Sequence, residues 1–435
     1  MSTVALLRRL SDVEASFAYT HALMRGTTQV TTHVSVRGDI GPEQLRAAAG
    51  RWAGDLPLLS LRIEERPDGL WFAAGPGPRA EQVRHTVLTA PDSPDEVLRR
   101  ELNDVLETGG PLWRLHAVSD PGAGTTHLYF TRNHAISDGH STGAVIRALL
   151  DALFPPSDGG GQHDVRTLPP CADGLPYRPP RPDAGRTEEA GAREVAMPER
   201  LPFAAHRPWR ERSADFVPLT HTRATSLALR SWCRSRQMTV NQFFGAALAE
   251  SYAEATGRAQ VGLCTAVSLR PRYAPSDPLP DVGCFISVLN VPLRLDRGNL
   301  AGHARHYAAA LARADAAWRP PSRAHAAIRR AVEETAAARS APGICITNIG
   351  MADPALGPHL SRVTGYRTVV NRTGANYGVV LHLGTLDGTF AAALAFGAPA
   401  TDRALVRAVA KGLHDRVVHP DATVRDLSAA EAAPA

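Results

Sequence analysis

Two histidines and an aspartate lie close together in the segment Arg132-Asn133-His134-Ala135-Ile136-Ser137-Asp138-Gly139-His140. The pKa of an unperturbed imidazole is near neutrality, so it can take a proton from an alcohol or amine that attacks a carbonyl carbon. His134 stands at the end of a predicted strand, and His140 follows the predicted turn. The sequence therefore predicts His134 as a general base, with Asp138 as the second member of a catalytic pair.

Asp138 and Gly139 form the loop that follows His134. Asp138 is expected to hold this loop rigid by pairing with an arginine from elsewhere in the chain. Gly139 is expected to let the chain turn sharply, so that the next helix begins close to the site. The alternative is an ordinary Asp-Gly turn that caps a helix and has no part in chemistry.

Metal and cysteine chemistry are disfavoured. His134, Asp138 and His140 offer at most three ligands, and neither an HxxxH pair nor a helix of carboxylates supports them, so no metal is predicted. The five cysteines have no CxxC pair, which favours buried or incidental thiols over a zinc knuckle or a disulfide framework. They are Cys171, Cys233, Cys264, Cys284 and Cys345.

Length and composition limit the class of protein. The chain has 435 residues, 44% of them hydrophobic, which suits two globular domains. Its net charge of +5 is small for this length, and no basic run is interleaved with aromatic residues, so no nucleic-acid partner is predicted. Lys411 is the only lysine, which disfavours a Schiff-base mechanism. No apolar run can span a membrane and no secretory signal is recognised, so a cytoplasmic monomer is expected.

The elements around the motif follow from periodicity. Ser11 and Glu14 have the spacing of a capping box, which predicts a helix start near the N-terminus, and Thr239 with Gln242 has the same spacing and predicts a second helix start. A hairpin is predicted around 66–69, where Arg-Pro-Asp-Gly favours a turn. The strand TTHLYFTRNH leads into the motif, and STGAVIRALLDALF follows it as a helix with one apolar face.

The amino-acid composition changes in the middle of the chain. Prolines and glycines replace periodic patterns over 155–213, which predicts an exposed crossover. An N-terminal lobe carrying the motif is therefore predicted over 1–154, and a C-terminal lobe over 214–435. Both lobes mix strands and helices without regular βαβ alternation, so the fold class is α+β, with two α/β sandwiches.

Several segments resemble the CoA-dependent acyltransferase superfamily, which includes chloramphenicol acetyltransferase and the condensation domains of nonribosomal peptide synthetases. HAISDG, between a strand and an amphipathic helix, resembles the catalytic HxxxDG motif of that superfamily. Four further matches follow the superfamily's order and cover nearly the whole chain. They are LSDVEASF, LPLLSLRI, TAVSLRPRY with VGCFISVLNVPLRL, and ITNIG. The last resembles the polyketide-associated branch, of the phthiocerol dimycocerosyl transferase type.

The resemblance implies a mechanism and further site residues. It implies two lobes in a V with a tunnel between them, where an acyl thioester meets an acceptor. It implies that Arg270 pairs with Asp138, and that Asn348 lines the tunnel. Asn133 replaces a histidine that many relatives carry, and is predicted to bind substrate. Transfer is expected to be direct, because no GxSxG nucleophile elbow is present.

The substrates implied by the resemblance are a thioester donor and a small-molecule acceptor. The donor is the phosphopantetheine arm of an acyl carrier protein or of CoA, with a carrier protein favoured as partner and no bound cofactor expected. Two alternatives remain open. One is a free-standing condensation enzyme that forms amides on carrier-bound substrates; the segment NRTGANYG in place of the condensation-domain latch Asp-Phe-Gly-Trp-Gly weakens it. The other is a non-catalytic protein that binds acyl carriers.

Overall fold

A computed structural model describes the chain over 6–155, 167–179, 196–275, 278–296 and 298–421. The rest of the predicted crossover, 156–166 and 180–195, lies outside the described residues, as do short pieces of both predicted lobes. The lobe boundaries themselves stay a prediction.

The first half contains seven strands and four α-helices among its described residues. The strands are β1 (Leu6–Arg9), β2 (Val30–Arg37), β3 (Leu61–Arg66), β4 (Gly69–Ala74), β5 (Val83–Val87), β6 (Trp113–Asp120) and β7 (Thr125–Arg132). The helices are α1 (Asp12–Leu23), α2 (Pro42–Asp55), α3 (Pro94–Asn103) and α4 (Gly139–Leu153). The predicted hairpin is confirmed as β3 and β4, whereas β5 was missed.

The second half contains nine strands and six α-helices among its described residues. The strands are β8 (Leu201–Pro202), β9 (Ser213–Thr220), β10 (Gln260–Ser268), β11 (Ile286–Arg294), β12 (Ser340–Ala341), β13 (Ile344–Met351), β14 (Val363–Val370), β15 (Val380–Leu386) and β16 (Thr389–Ala398). The helices are α5 (Arg223–Ser235), α6 (Val240–Thr256), α7 (Leu300–Ala317), α8 (His325–Ala337), α9 (Asp353–Leu356) and α10 (Arg403–Val418).

Local capping fixes where helices begin. The Ser11 hydroxyl accepts the Glu14 N–H, and the Glu14 carboxylate accepts the Ser11 N–H at 2.8 Å, so α1 starts with a complete capping box. Thr239 and Gln242 form the same arrangement at the start of α6. Both capping boxes confirm sequence predictions. In each helix, the two side chains at this spacing accept backbone N–H groups of the first turn that would otherwise have no hydrogen-bond partner.

A five-stranded sheet carries the motif. Its strand order is β14-β2-β7-β6-β5, antiparallel except for the parallel pair β5 and β6. One face packs on α2 and α4 to form a core that includes Val34, Phe130 and Leu149. The outer strand β14 comes from the predicted C-terminal lobe, so the two halves of the chain share this sheet.

A six-stranded mixed sheet forms the second layer. Its order is β11-β10-β13-β15-β16-β9, and β13 runs parallel to both β10 and β15. One face is covered by α5, α6, α7 and α10, with Phe243, Phe244 and Leu394 fully buried between them. The other face turns towards the five-stranded sheet. Strand β9 at its edge was not predicted, since the sequence places the end of the crossover there.

The predicted α+β class with two-layer lobes is confirmed. In the described part of the chain, no helix combines the length and the apolar character needed to cross a bilayer.

Candidate active site

A cavity of about 290 Å³ lies between the two sheets. The five-stranded sheet contributes Val30, Arg132, Tyr366, Thr368 and Val370, and the six-stranded sheet contributes Ala266, Thr347, His382, Gly384 and Ala391. The small residues Ala266, Gly384 and Ala391 on the six-stranded sheet leave room for the cavity. The predicted motif residues His134, Asp138 and Gly139 also line the cavity, together with the predicted Asn348.

His134 is positioned by a short 3₁₀ turn and by an aromatic stack. The turn His134–Ile136 follows β7 directly. The imidazole lies parallel to the Phe17 ring of α1, with ring centroids 4.1 Å apart and an interplanar angle of 5°. Its Nδ1 has no hydrogen-bond partner in the described structure. The ring is therefore held by packing, and neither nitrogen is committed to a carboxylate.

Burial lowers the pKa of His134 to about 4, helped by the Arg132 guanidinium and opposed by its own backbone carbonyl and by Asp138. The imidazole is therefore neutral at pH 7, which is the form that can accept a proton.

Asp138 caps α4 and connects the motif to the second sheet. Its Oδ1 accepts the Ser141 N–H at 2.8 Å, and its Oδ2 accepts the Phe285 N–H at 3.0 Å. The Asp138 N–H donates to the Gly283 carbonyl at 2.9 Å. The side chain is 1% exposed, so these bonds are shielded from water. These hydrogen bonds hold the loop, which is the geometry that the predicted positioning role of Asp138 requires.

Arg270 lies beside Asp138, as the resemblance implies. Its Nη2 is 3.7 Å from Asp138 Oδ2 and donates to Ser141 Oγ at 3.3 Å. Its Nη1 donates to the Pro280 carbonyl at 2.6 Å, and the guanidinium lies 4.7 Å from the centroid of the Phe285 ring. The contact with Asp138 is a long ion pair. The backbone carbonyls that Arg270 binds belong to Pro280 and Asp281, so among the described residues Ser141 provides its one direct hydrogen bond to the start of α4.

Gly139 is required for a close approach rather than for a turn. It does not adopt a left-handed φ, but a Cβ at this position would lie 2.9 Å from Ile349 Cγ2. The missing side chain lets the start of α4 pack against β13 of the other sheet. The structure therefore gives close packing against Ile349 as a reason for this glycine, and its backbone does not require the left-handed region.

The comparisons with known proteins support the same architecture. The family model described as "Phthiocerol/phthiodiolone dimycocerosyl transferase C-terminus" matches residues 210–381. Among solved structures, trichothecene 15-O-acetyltransferase TRI3 from Fusarium sporotrichioides is 12% identical, with a TM-score of 0.69 over 94% of this chain and 95% of that one. This chain has the CoA-dependent acyltransferase fold.

Two further solved structures share this fold, one of a polyketide-associated protein and one of a condensation domain. Polyketide synthase associated protein 5 from Mycobacterium tuberculosis is 15% identical, with a TM-score of 0.58 over 96% of this chain and 99% of that one. The first condensation domain of the CDA synthetase is 15% identical, with a TM-score of 0.63 over 96% of this chain and 98% of that one. No curated protein matches the sequence. The predicted resemblance is confirmed at the level of the fold, and the family match covers part of the second half of the chain.

The two predicted asparagines occupy different places in this acyltransferase fold. Asn348 is exposed on the cavity wall, and its Oδ1 accepts the Gly350 N–H at 2.9 Å. Asn133 is buried behind the motif, where its Oδ1 accepts the Ala135 N–H at 3.0 Å and caps the 3₁₀ turn. Asn133 is not among the residues that line the cavity, so substrate binding by Asn133 stays a prediction without support from this geometry.

Three residues of the site were not predicted: Phe17, which stacks on His134, and Arg132 and His382, which line the cavity. Arg132 is 1% exposed and donates to the hydroxyls of Thr32, Ser137 and Thr142. His382 is 4% exposed, and its Nε2 has no partner among the described residues. For Arg132 on β7 and His382 on β15, the available signal is a charged or polar side chain on an apolar strand, because such residues are seldom fully buried without a partner.

Proposed function

We propose that this protein is an acyltransferase that moves an acyl group from a thioester to a hydroxyl or amine of a small-molecule acceptor. The observation that carries this proposal is the His134 imidazole, held against Phe17 in the wall of a cavity between the two sheets of a CoA-dependent acyltransferase fold.

The proposed reaction starts with the acceptor near His134. The acceptor oxygen or nitrogen attacks the thioester carbonyl carbon while the imidazole takes its proton, and the carbonyl π electrons move to the oxygen. The tetrahedral intermediate then collapses, the C–S bond breaks, and the imidazolium returns the proton to the departing thiolate. Atoms and charge balance without a further reactant, so His134 ends each turnover neutral.

Direct transfer is favoured over a covalent acyl-enzyme. A cysteine nucleophile would have to react as the thiolate. Burial raises the pKa of all five thiols, that of Cys345 to about 12 and that of Cys233 to about 11. None of the cysteines is therefore prepared for nucleophilic attack at neutral pH.

A carrier-protein thioester is proposed as the donor in preference to free CoA. The support is the match to a family of polyketide-associated transferases and the likeness to a polyketide synthase associated protein. Both donors carry the same phosphopantetheine arm, so the cavity itself does not discriminate between them. A carrier protein would add a docking surface, and any charge contribution to docking would weaken as salt rises.

The test is detection of product by intact mass, with a panel of acyl groups on CoA and on loaded carrier proteins. The wild type should transfer, and His134→Ala should lose about 10²–10⁴-fold in kcat, the usual contribution of a general base. His140→Ala is the matched control, since His140 belongs to the same motif but is exposed at the cavity rim. Near-wild-type turnover of His134→Ala would remove His134 from the mechanism.

The same assay separates the alternatives. An acyl group offered on CoA and on carrier gives two values of kcat/KM, and equal values or a preference for CoA would overturn the donor proposal. The condensation enzyme remains a second candidate because condensation domains share the fold over nearly the whole chain. It would require an acceptor amine that is itself carrier-bound. Absence of turnover with every loaded carrier would support a non-catalytic carrier-binding protein.

A further inference from the structure

The Ile349 side chain lies between two glycines at one end of the cavity. A Cβ on Gly139, at the start of α4, would lie 2.9 Å from Ile349 Cγ2. A Cβ on Gly384, in β15, would lie 3.1 Å from Ile349 Cγ1 and 3.2 Å from its Cδ1. All three residues line the cavity. The two missing side chains therefore make room for this one, which bridges from the six-stranded sheet to the helix that follows the motif.

An irregularity in β13 accounts for the direction of this side chain. The register of β13 against β15 shifts between Asn348 and Met351, so Ile349 lies in a β-bulge. Bulges bend a strand and re-aim side chains, and they are common beside active sites. Ile349 is half-buried and packs against the hydrophobic core that α2 and α4 cover. The bulge therefore directs Ile349 away from its own sheet and across the end of the cavity.

The floor of the cavity beside Ile349 is almost bare of side chains. Gly384 is opposite Ala391 in the pairing of β15 with β16, and both residues line the cavity. The next row on the same face of the sheet has Thr347 opposite His382, and these two polar side chains also line the cavity. The cavity therefore contains an apolar recess, formed by Gly384 and Ala391 and closed by Ile349, beside a polar strip.

This apolar recess suits an unbranched hydrocarbon chain. Glycine, alanine and isoleucine have no hydrogen-bonding group in their side chains, so a polar group placed there would lose its bonds to water without replacement. A chain gains about 4-fold in affinity for each methylene that it buries, as long as there is room for it. The room ends where Cγ1 and Cδ1 of Ile349 cover Gly384. A single side chain therefore sets the length of the chain that fits.

We propose that Ile349 determines the substrate specificity of this protein, because it limits the length of the apolar chain that one substrate places in the recess over Gly384 and Ala391. The identity of that substrate rests on the proposed function: the chain belongs either to the acyl group of the thioester or to the acceptor. The chemistry of the chain is the same in both cases, and binding experiments distinguish the two without requiring turnover.

The first probe is a series of S-alkyl pantetheines, which are thioethers that carry the donor arm and cannot transfer their chain. The Kd of each is measured by titration calorimetry. In the wild type, Kd should fall about 4-fold per added methylene up to a limiting chain length and then rise. Ile349→Ala removes three carbons at the end of the recess, so its limiting length should be greater. Chains just beyond the wild-type limit should bind this variant about 10- to 50-fold more tightly than they bind the wild type.

Two further variants separate this effect from a general loss of packing. Gly384→Ala adds a methyl group against Ile349 inside the recess, so its limiting chain length should be shorter than that of the wild type. Ile63→Ala is the matched control for Ile349→Ala, since Ile63 is also half-buried against the same core and is not among the described residues that line the cavity. Both isoleucine variants should have a lower Tm, but Ile63→Ala should keep the wild-type limiting length.

A second series, of straight-chain 1-alkanols, represents the acceptor. A limiting length that changes in Ile349→Ala for the thioethers assigns the recess to the acyl group. A limiting length that stays fixed for the thioethers but changes for the alkanols assigns the recess to the acceptor.

Two outcomes would overturn the proposal: a limiting length that is the same in the wild type, Ile349→Ala and Gly384→Ala for both series, or no binding of either series to the wild type. The acyltransferase proposal is decided separately, by product formation. Product with a fixed limiting length would leave the acyltransferase proposal standing and remove the role of Ile349. A limiting length that changes, without product from any donor, would keep the role of Ile349 and count against the acyltransferase.

Discussion

The rings of Phe17 and His134 lie face to face, 4.1 Å apart at their centroids and 5° from parallel. Phe17 belongs to α1, whose start is fixed by the capping box of Ser11 and Glu14. Glu14 is also held by Arg8 at 2.8 Å, so the helix is anchored to β1. The orientation of the candidate base thus depends on the N-terminal helix, more than a hundred residues away in the chain.

Phe17→Leu is therefore expected to lower kcat by about 10- to 100-fold with little change in KM, because a loosened imidazole is misplaced for proton transfer. The measurement is steady-state kinetics on a confirmed donor and acceptor. Phe154→Leu serves as the control, since Phe154 contacts His359 outside the site. An unchanged kcat in Phe17→Leu would show that the stack does not orient the base.

The pH dependence of the reaction should reflect the lowered pKa of His134. Burial and Arg132 keep this pKa at about 4, so the base stays neutral as pH falls and kcat/KM should decline only on approach to that pH. Arg372→Met removes one of the positive charges that lower this pKa, so its acidic limb should move upwards. An acidic limb near 6.5 in the wild type would mean that the imidazole is solvated in the working enzyme.

Much of the architecture could be predicted from local patterns. Both capping boxes and the hairpin at 66–69 depend on residues within a few positions of one another, and all three are present. Strand β9 was missed because Pro218 and flanking polar residues hide its alternation, and it is defined only by pairing with β16. Likewise, nothing local indicates that β14 leaves its own half of the chain to pair with β2.

The residues of the candidate site also divide into those that the local sequence identifies and those that only the tertiary fold brings together. The HxxxDG spacing identified His134, Asp138 and Gly139, because the turn places all three within a single loop. Phe17 and His382 come from elements that only the tertiary fold brings to the site. The reason why position 139 is a glycine could not be predicted either, because the side chain that leaves no room for a Cβ there is Ile349, on another sheet.

Asp138→Asn should destabilise the protein by about 1–3 kcal/mol and lower activity with it. Asparagine caps helices as well as aspartate does, so the Ser141 bond alone predicts no loss. The second oxygen accepts the Phe285 N–H at 3.0 Å, and an amide NH₂ placed there cannot accept. Asp402→Asn is the matched control, because exposed Asp402 caps α10 through Ala404 alone. Equal losses of stability in the two variants would mean that Asp138 acts only as a helix cap.

Gly139→Ala should be destabilising even though alanine favours helices. Its Cβ would meet Ile349 Cγ2 at 2.9 Å, and relief requires a shift of β13 or of the start of α4. The double variant Gly139→Ala with Ile349→Ala should recover part of the lost Tm and activity, since the obstructing methyl is gone. Additive losses in the double variant would show that the two positions do not interact.

The protein should also lose stability in mild acid, because many of its histidines are buried in the neutral form. Burial lowers the pKa of a whole group of imidazoles from the ordinary value of 6.5: His21, His33, His127, His134, His221, His325 and His382. Unfolded histidines take up protons near that value, whereas the folded ones do so only at lower pH. Unfolding therefore binds protons below about 6.5, and each proton taken up removes about 1.4 kcal/mol of stability per pH unit.

His33 offers a clean test of this acid sensitivity. It is 8% exposed, its Nε2 lies 3.1 Å from His127 Nδ1, and its ring is stacked on Tyr129 with centroids 4.6 Å apart. Burial, His127 and Arg367 together lower its pKa well below 6.5. His33→Phe keeps the stack, and Ser35 still reaches His127 at 2.9 Å, so stability at neutral pH should change little. Denaturant unfolding across the acidic range should then show a shallower loss in His33→Phe than in the wild type. Exposed His419→Gln should follow the wild type, and parallel curves for all three proteins would exclude His33 as a source of the acid sensitivity.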